Sequence, residues 1–162
     1  MYTYRIGMGY DVHKLVENRD LWLGGIKIDN PLGLLGHSDA DVLIHAICDA
    51  LLGAANMRDI GYHFPDNSDD FKDIDSKIIL SKTVQLIRDK GYEIGNIDVT
   101  VCAERPKLNP YIPQMQRVLA VVMNISLEDI SIKATTTERL GFVGREEGIA
   151  AYAVALITKP KI

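Results

Sequence analysis

The stretch DADVLIHAICDALLGAAN, residues 39–56, is the clearest amphipathic helix of this sequence. Small and apolar side chains recur along it at helical spacing and form a single face, which is typical of a helix packed against a core. That face consists of Val42, Leu43, Ala46, Ile47, Ala50 and Ala54. Asp39 is the expected N-cap. His45 lies off the apolar face, between Asp41 and Asp49 at the i−4 and i+4 positions.

Strands and further helices are predicted on both sides of this helix. Alternating or continuous apolar runs predict strands within residues 4–15, 21–29, 92–104, 129–137 and 148–159. Helical spacing predicts two more helices, at 75–90 and 109–124, and residues 58–73 form an exposed loop rich in Gly, Pro, Asp and Asn. The order β, β, α, α, β, α, β, β predicts the α/β class, as an α+β two-layer sandwich with one mixed sheet covered by helices on one face. Residues 1–162 are expected to form a single domain.

The composition limits the classes of function. The chain has 162 residues, 47% of them hydrophobic and 25% charged, with a net charge of −4, as in an ordinary globular domain. Its 18 basic residues are spread along the sequence, so no nucleic acid partner is expected. No apolar run reaches about 18 residues and no signal peptide is evident, which predicts a cytoplasmic protein without a membrane partner.

Two smaller features complete the structural expectations. Cys48 and Cys102 lie in apolar patterns, and two buried reduced thiols are favoured over a disulfide. The last predicted strand, residues 148–159, carries small and apolar side chains on both faces. In a chain of this size, such a strand indicates covering by another subunit.

A metal site is predicted from Asp11, His13 and His45. Asp11 and His13 are two residues apart in a strand, so their side chains point to the same side of the sheet. Taken alone, His45 is more often a solvated histidine paired with a neighbouring acid. As a metal ligand it would need a partner on its second ring nitrogen, which Asp49 or Asp41 could supply. Two histidines and a carboxylate suit zinc with a fourth position open for substrate.

Five stretches, in one order and spacing, carry a family resemblance. They are GYDVHKL (9–15), LLGHSDADVLIHAICDALLGAA (34–55), DIGYHFPD (59–66), NIDVTVCAERPKL (96–108) and IKATTTERLGFVGREEGIA (132–150). Together they resemble the 2-C-methyl-D-erythritol 2,4-cyclodiphosphate synthase family of the non-mevalonate isoprenoid pathway. The resemblance implies a phosphorus-oxygen lyase acting on 4-diphosphocytidyl-2-C-methyl-D-erythritol 2-phosphate. The 2-phosphate attacks the β-phosphorus, which releases CMP and closes the cyclic diphosphate. It also implies a homotrimer whose sheets face the central axis and whose active sites lie between subunits.

The resemblance assigns metal ligands and catalytic residues. It implies Zn²⁺ on Asp11, His13 and His45, and Mg²⁺ or Mn²⁺ on Glu138. His37 and Thr136 match the residues that stabilise the transition state. Without the resemblance, His37 would be interpreted as a capping or solvated loop histidine, and three successive threonines as ordinary strand composition.

The remaining implied contacts belong to the substrate. The methylerythritol moiety is assigned to Asp59, Ile60, Gly61, Phe64, Pro65, Asp66, Asn67 and Ser68. The cytidine is assigned to Ala103, Glu104, Arg105, Pro106, Lys107, Leu108 and Asn109. The phosphate region is assigned to Asp11, His13, His37, Ser38, Thr135, Thr136, Thr137, Glu138, Phe142 and Arg145. Two of these assignments have an alternative interpretation without a ligand. Lys107 would then be an exposed lysine of a turn, and Arg145 would form an ion pair with Glu147 between subunits. His63 is expected at the surface.

Two positions depart from the family pattern, and two other functions stay open. Ser68 stands where the family often has an acid, and Asn109 where an apolar residue is common. A phosphate nucleophile is already ionised, so the chemistry needs orientation and charge neutralisation in place of a general base. The same zinc would also suit a phosphohydrolase that activates water. A non-catalytic trimeric binder of isoprenoid diphosphates is the third alternative, although it would not need the predicted metal ligands.

Overall fold

A computed structural model describes residues 1–67 and 69–161 of the chain. Its strands are β1 (Tyr2–Val16), β2 (Leu21–Leu23), β3 (Ile26–Ile28), β4 (Gly33–Leu35), β5 (Glu93–Cys102), β6 (Ile130–Thr135) and β7 (Gly148–Pro160). Its helices are α1 (Val42–Ala54), α2 (Ile60–His63), α3 (Ser76–Asp89), α4 (Ile112–Met123) and α5 (Gly141–Gly144). Short 3₁₀ turns occupy Asp69–Phe71, Asn109–Tyr111 and Leu127–Asp129. The other predicted strands and the long helices are therefore found, the predicted strand within 21–29 is divided into β2 and β3, and β4, α2 and α5 are additional to the prediction.

The strands form one mixed sheet and a separate hairpin. The order in the sheet is β4-β1-β7-β5-β6, with β5 and β6 parallel and the other neighbours antiparallel. β2 and β3 pair with each other. The helix α1 packs on β1 and β7, and α4 packs against β6. This arrangement confirms the mixed sheet and the α/β class, and it sends the C-terminal ends of β1, β5 and β6 in one direction.

Two glycines let α1 lie directly on the sheet. A Cβ atom on Gly7 would approach the carbonyl oxygen of Ala50 to 1.9 Å, and one on Gly9 would approach that of Ala46 to 1.9 Å. Backbone therefore touches backbone at both positions, which only glycine permits. Because side chains alternate along a strand, Asp11 and His13 follow on the same face, beside the next turn of α1. The sequence GMGYDVH thus brings His45 to Asp11 and His13.

The start of α1 differs from the prediction. Asp41, and not Asp39, is the N-cap, and its carboxylate accepts a hydrogen bond from Ile44 N at 3.1 Å. The same buried carboxylate accepts from Gly24 N at 3.0 Å and Gly25 N at 2.7 Å, at the turn between β2 and β3. Burial and the nearby Asp39 charge raise the pKa of Asp41, although these hydrogen bonds oppose the shift. Asp41 therefore joins the hairpin to α1.

The face of the sheet away from the helices is apolar and exposed in the single chain. Its large exposed side chains include Ile6, Met8, Tyr10, Val12, Tyr152 and Val154. The residues of β7 that alternate with Tyr152 and Val154 face α1 and are small. They are Ala151, Ala153 and Ala155, all fully buried. The last strand is thus buried on its helix side, whereas Tyr152 and Val154 are 43% and 46% exposed on the other. An uncovered surface of this kind marks an interaction face.

Both cysteines are free thiols, as predicted, but only Cys48 is buried, whereas Cys102 is half-buried. Among the described residues, no helix has the length and apolar character needed to cross a bilayer.

Candidate metal centre and active site

Asp11, His13 and His45 bring three ligand atoms together where β1 meets α1. The Oδ2 atom of Asp11 lies 2.9 Å from His13 Nε2 and 3.0 Å from His45 Nδ1. The two ring nitrogens lie 3.2 Å apart. The three side chains are only 12–25% exposed. The metal triad predicted from sequence therefore forms within one chain.

The donor set fits a zinc ion. Zinc bonds of about 2.0–2.1 Å in a tetrahedron separate neighbouring ligand atoms by roughly 3.3 Å. The observed separations of 2.9, 3.0 and 3.2 Å are within a few tenths of an ångström of that spacing. Small side-chain adjustments are enough to accommodate the ion, and the three ligands leave one coordination position for substrate.

The charges of the triad favour a cation. Burial raises the pKa of the Asp11 carboxyl, but the hydrogen bonds from His13 and His45 outweigh this effect and lower the pKa to about 2. Burial lowers the pKa of His45, while the hydrogen bond and charge of Asp11 raise it above its usual value. The carboxylate is thus ionised and faces two ring nitrogens. A bound metal replaces protons in such a site.

The second nitrogen of each imidazole has a partner, as ligating histidines require. His13 Nδ1 lies 3.1 Å from the carbonyl oxygen of Leu35, on the neighbouring strand β4. His45 Nε2 lies 2.9 Å from Ser76 Oγ and 3.2 Å from Ser38 Oγ. The expectation that Asp49 or Asp41 would pair with the second ring nitrogen of His45 is wrong, because Nε2 faces the two serines.

Both acids have other partners that explain this outcome. Asp41 caps α1 and binds the β2–β3 turn. Asp49 accepts a hydrogen bond from Ile60 N at 2.7 Å, which fastens the start of α2 to α1.

The triad opens into a cavity of about 400 Å³. Sequence-predicted residues that line it are Asp11, His13, His37, Ser38, His45, Ile60, Gly61, Phe64 and Asp66. The sequence analysis missed Gly36, Phe71, Ile74 and Ile79, which line the same cavity. The Phe64 and Phe71 rings stand edge to face, 5.7 Å apart, and give the cavity an apolar wall. Of the missed residues only Phe71 lies in the 58–73 segment, and its aromatic side chain within that polar stretch was the available signal.

A second cavity, of about 420 Å³, lies at the ends of β5 and β6. The expected nucleotide residues that line it are Ala103, Glu104, Pro106, Lys107, Leu108, Asn109, Thr135 and Thr136. The peptide bond before Pro106 is cis. The structure therefore gathers the predicted residues into two groups, one around the metal triad and one around the threonines.

These two groups are far apart within one chain. Thr135 is in register with Cys102, Ala150 and Val12 across four strands. Three strand spacings amount to about 14 Å. Asp11 shares its row with the fully buried Ala151, on the helix side, whereas Val12 is exposed on the opposite face. A row of directly paired residues points to one side, so Thr135 belongs to the uncovered face.

Several predicted residues lie outside both cavity linings. Arg105 forms a two-pronged ion pair with Glu146, at 2.9 and 2.7 Å, beside a smaller cavity. Arg145 pairs with Glu147 at 2.9 Å in the same chain, so the two residues named in the alternative interpretation do form an ion pair, here within one chain. Phe142 is partly exposed next to Gly148.

The other expected residues lie in loops or at the ends of short helices. Asp59 is the N-cap residue of α2, and Pro65 and Asn67 follow that helix. Thr137 donates through Oγ1 to the carbonyl oxygen of Leu140 at 2.7 Å. Ser68 lies outside the described residues. His63, expected at the surface, contacts the Met57 carbonyl oxygen at 2.7 Å and is not part of the triad.

Glu138 is exposed in a turn where two successive residues have positive φ, 54° for Glu138 and 61° for Arg139. Glu138 N donates to Thr136 Oγ1 at 3.3 Å, and Arg139 N donates to Glu104 Oε1 at 2.8 Å. The second bond ties the turn to the loop after β5, and both acceptors, Thr136 and Glu104, line the second cavity.

Residues 4–158 match the YgbB family. The chain belongs to the YgbB family. A protein of Bacteroides fragilis named 2-C-methyl-D-erythritol 2,4-cyclodiphosphate synthase is 72% identical over 155 residues, which cover 96% of this chain and 98% of the relative. A relative of the same name from Porphyromonas gingivalis is 65% identical and covers 95% of each chain. These matches confirm the family and the enzyme class predicted from the sequence.

Solved structures share the fold. The bifunctional IspDF of Campylobacter jejuni is 40% identical and superposes with a TM-score of 0.95, covering 99% of this chain and 44% of its own. This chain therefore spans less than half of that bifunctional protein. A CDP complex of IspF from Plasmodium falciparum is 38% identical with a TM-score of 0.85, over 98% of this chain and 97% of the other.

Proposed function

We propose that this chain converts 4-diphosphocytidyl-2-C-methyl-D-erythritol 2-phosphate into 2-C-methyl-D-erythritol 2,4-cyclodiphosphate and CMP. The observation that carries the proposal is the convergence of Asp11, His13 and His45 within 3.2 Å of one another, in a cavity lined by the family's motifs. The names of the close relatives supply the reaction. The CDP bound to the Plasmodium falciparum relative supports a cytidine nucleotide as part of the substrate.

The metal triad is proposed to hold Zn²⁺, and Glu138 to hold Mg²⁺ or Mn²⁺ at the nucleotide side. When bound, these ions supply positive charge that neutralises the phosphate oxygens. Glu138 suits this task because its carboxylate is exposed on a turn tied to the loop after β5. Hard divalent cations prefer such carboxylate oxygens together with substrate phosphates.

The chain's own residues bring the two reacting phosphates together. His37 and Ser38 line the metal cavity and are proposed to donate hydrogen bonds to the phosphate region. The α2 segment, fastened to Asp49 through Ile60, is proposed to hold the methylerythritol moiety against the apolar wall. No side chain needs to act as general base, because the attacking phosphate is ionised at neutral pH. Orientation of a flexible polyanion is therefore the main task of the site.

The second cavity is proposed to hold the nucleotide. Residues 103–109 would take the cytidine, and Thr135, Thr136 and Thr137 its phosphates, with Thr136 as the second transition-state stabiliser. Arg145 and Phe142 are proposed at the edge of the phosphate region. Arg145 would then exchange part of its pairing with Glu147 for a phosphate oxygen.

The active unit is proposed to be a homotrimer with each active site between two subunits. Two observations support this arrangement. The face opposite the helices exposes large apolar side chains that a soluble monomer rarely leaves uncovered. The metal group and the threonine group of one chain are separated by three strand spacings, about 14 Å, which exceeds the reach of a diphosphate. A neighbouring subunit would bring the complementary half.

Phosphorus NMR of the purified protein with the nucleotide substrate tests the proposal. A cyclic diphosphate and CMP should form with zinc and magnesium, and a chelator should abolish both products. CMP together with an open-chain product would favour the phosphohydrolase. No turnover by a metal-loaded trimer would contradict an enzymatic role and favour the binding protein.

A further inference from the structure

We infer that Ser76 and Asp39 form a directed hydrogen-bond relay that holds His45 in the tautomer required for metal binding. Both residues are thus positioning residues that act through His45. The inference rests on the proposed zinc site and extends it to two residues, in the loop before α1 and at the start of α3.

His45 must present an unprotonated Nδ1 to the triad. That nitrogen faces Asp11 Oδ2 at 3.0 Å and His13 Nε2 at 3.2 Å. A neutral imidazole carries one proton, so a metal-facing Nδ1 requires the proton to be on Nε2. The partner of Nε2 therefore selects the tautomer, and it must be a hydrogen-bond acceptor.

Ser76 is such an acceptor because its hydroxyl proton is already donated to another group. Its hydroxyl donates to Asp39 Oδ1 in a short hydrogen bond. A carboxylate can only accept, so this bond has one direction. The Ser76 oxygen is left with lone pairs, and His45 Nε2 lies 2.9 Å from it. The relay consequently runs from His45 N–H to Ser76, and from Ser76 O–H to Asp39.

Asp39 is itself fixed in place by the backbone. Its Oδ2 accepts from Ser76 N at 2.9 Å, and its Oδ1 accepts from Asp41 N at 3.1 Å. Its own N–H donates to the carbonyl oxygen of Ile74 at 3.2 Å. Asp39 was expected to cap α1, but the structure uses it to connect the entry of α1 to the start of α3.

Burial makes the relay rigid. Ser76 is the first residue of α3 and is completely buried, so its hydroxyl has little freedom to turn elsewhere. The other hydroxyl near His45, that of Ser38, lies farther away at 3.2 Å and accepts from Ala40 N at 3.1 Å. Ser76 is therefore the principal partner of His45.

The first test is zinc affinity, measured by competition with a chromogenic chelator. Ser76→Ala removes the acceptor and keeps a residue that favours helices. Loss of such a partner typically weakens metal binding about 10- to 100-fold. Ser81→Ala makes the same chemical change at an exposed site of α3 and should leave the affinity unchanged. Thermal unfolding of the metal-free variants shows whether each is folded.

The second test can be decided on the wild-type protein. In proton NMR of the Co²⁺-loaded wild-type protein, the imidazole N–H of His45 should give a shifted signal that exchanges slowly with water, because Ser76 holds it. In Ser76→Ala the same signal should exchange faster. A rapidly exchanging His45 N–H in the wild type would overturn the inference, even if Ser76→Ala does not fold.

The outcomes separate the inference from the proposed function. Unchanged zinc affinity in folded Ser76→Ala, with zinc bound by the wild type, would overturn only the relay. A wild-type protein that binds no zinc would contradict the relay and the zinc site together. A selective loss of affinity in Ser76→Ala, with Ser81→Ala unaffected, supports the relay.

Discussion

At the scale of single residues, His45 connects the helix to the strand ligands. Its side chain is 12% exposed and lies off the apolar face of α1, among polar partners. His45→Ala should therefore remove one of three zinc ligands while the fold persists. Metal content after dialysis and thermal unfolding together measure this result.

His63→Ala is the matched control for that experiment. His63 contacts the Met57 carbonyl oxygen and is not part of the triad, so the variant should retain zinc. A His45→Ala protein that kept its zinc as well as His63→Ala does would remove His45 from the ligand set.

Glu138 offers a prediction on the second metal. Glu138→Gln keeps the size of the side chain and removes its charge, so the variant should keep zinc but need more magnesium for turnover. Titration of CMP release with Mg²⁺ measures the shift. Glu128→Gln makes the same change at another exposed acid, in the 3₁₀ turn Leu127–Asp129, and should leave the titration unchanged. An unshifted titration in Glu138→Gln would exclude Glu138 from the second metal site.

At the scale of elements, the contact between β1 and α1 sets the geometry of the metal triad. A Cβ on Gly9 would lie 1.9 Å from the Ala46 carbonyl oxygen, one residue from His45. Gly9→Ala should push α1 away from β1, at a cost of about 1–3 kcal/mol, and separate His45 from Asp11. We expect a lower unfolding temperature together with weaker zinc binding.

Gly53→Ala is the control in the same helix. No atom lies within 4 Å of a Cβ at this exposed position, so alanine should fit and stabilise α1 by up to about 1 kcal/mol. If Gly9→Ala bound zinc as tightly as Gly53→Ala, the close approach of strand and helix would not determine the site.

The elements also show what the sequence could predict. Period-two and helical patterns are local, so the long strands and helices were predictable, as was the Asp11–His13 pair two residues apart. The cap of α1 was not, because Asp41 is selected by the β2–β3 turn, whose Gly24 and Gly25 donate to it from 17 and 16 residues away. Ser76 was missed for the same reason, since a serine at a helix start is typical of ordinary capping and its contact with His45 spans 31 residues.

At the scale of the whole molecule, one chain carries two halves of the proposed site that do not meet. The proposed metal ligands lie where β1 meets α1, whereas Thr135 belongs to the uncovered face, three strands away. The exposed apolar side chains of β1 and β7 occupy that same face. In the proposed trimer, a subunit packed there would bury this surface and supply the other half of the site, so assembly and catalysis would be coupled.

Mixed trimers test this coupling directly. Chains carrying His45→Ala lack a metal ligand, and chains carrying Thr136→Ala lack the proposed stabiliser in the other half. Thr136 is exposed, so its truncation should leave the fold intact. In a cyclic trimer each subunit would give its metal half to one site and its threonine half to the next.

Every trimer containing both kinds of chain then has one site built from two intact halves, and the two parent trimers have none. Co-expression with two different affinity tags, followed by two purification steps, isolates the mixed trimers. Their rate of CMP release should be about one third of the wild-type rate, because one site in three is restored. Parent trimers purified in the same way should be nearly inactive. Mixed trimers as inactive as the parents would mean that each site takes both halves from a single chain, and the 14 Å separation in this structure would then have to close on substrate binding.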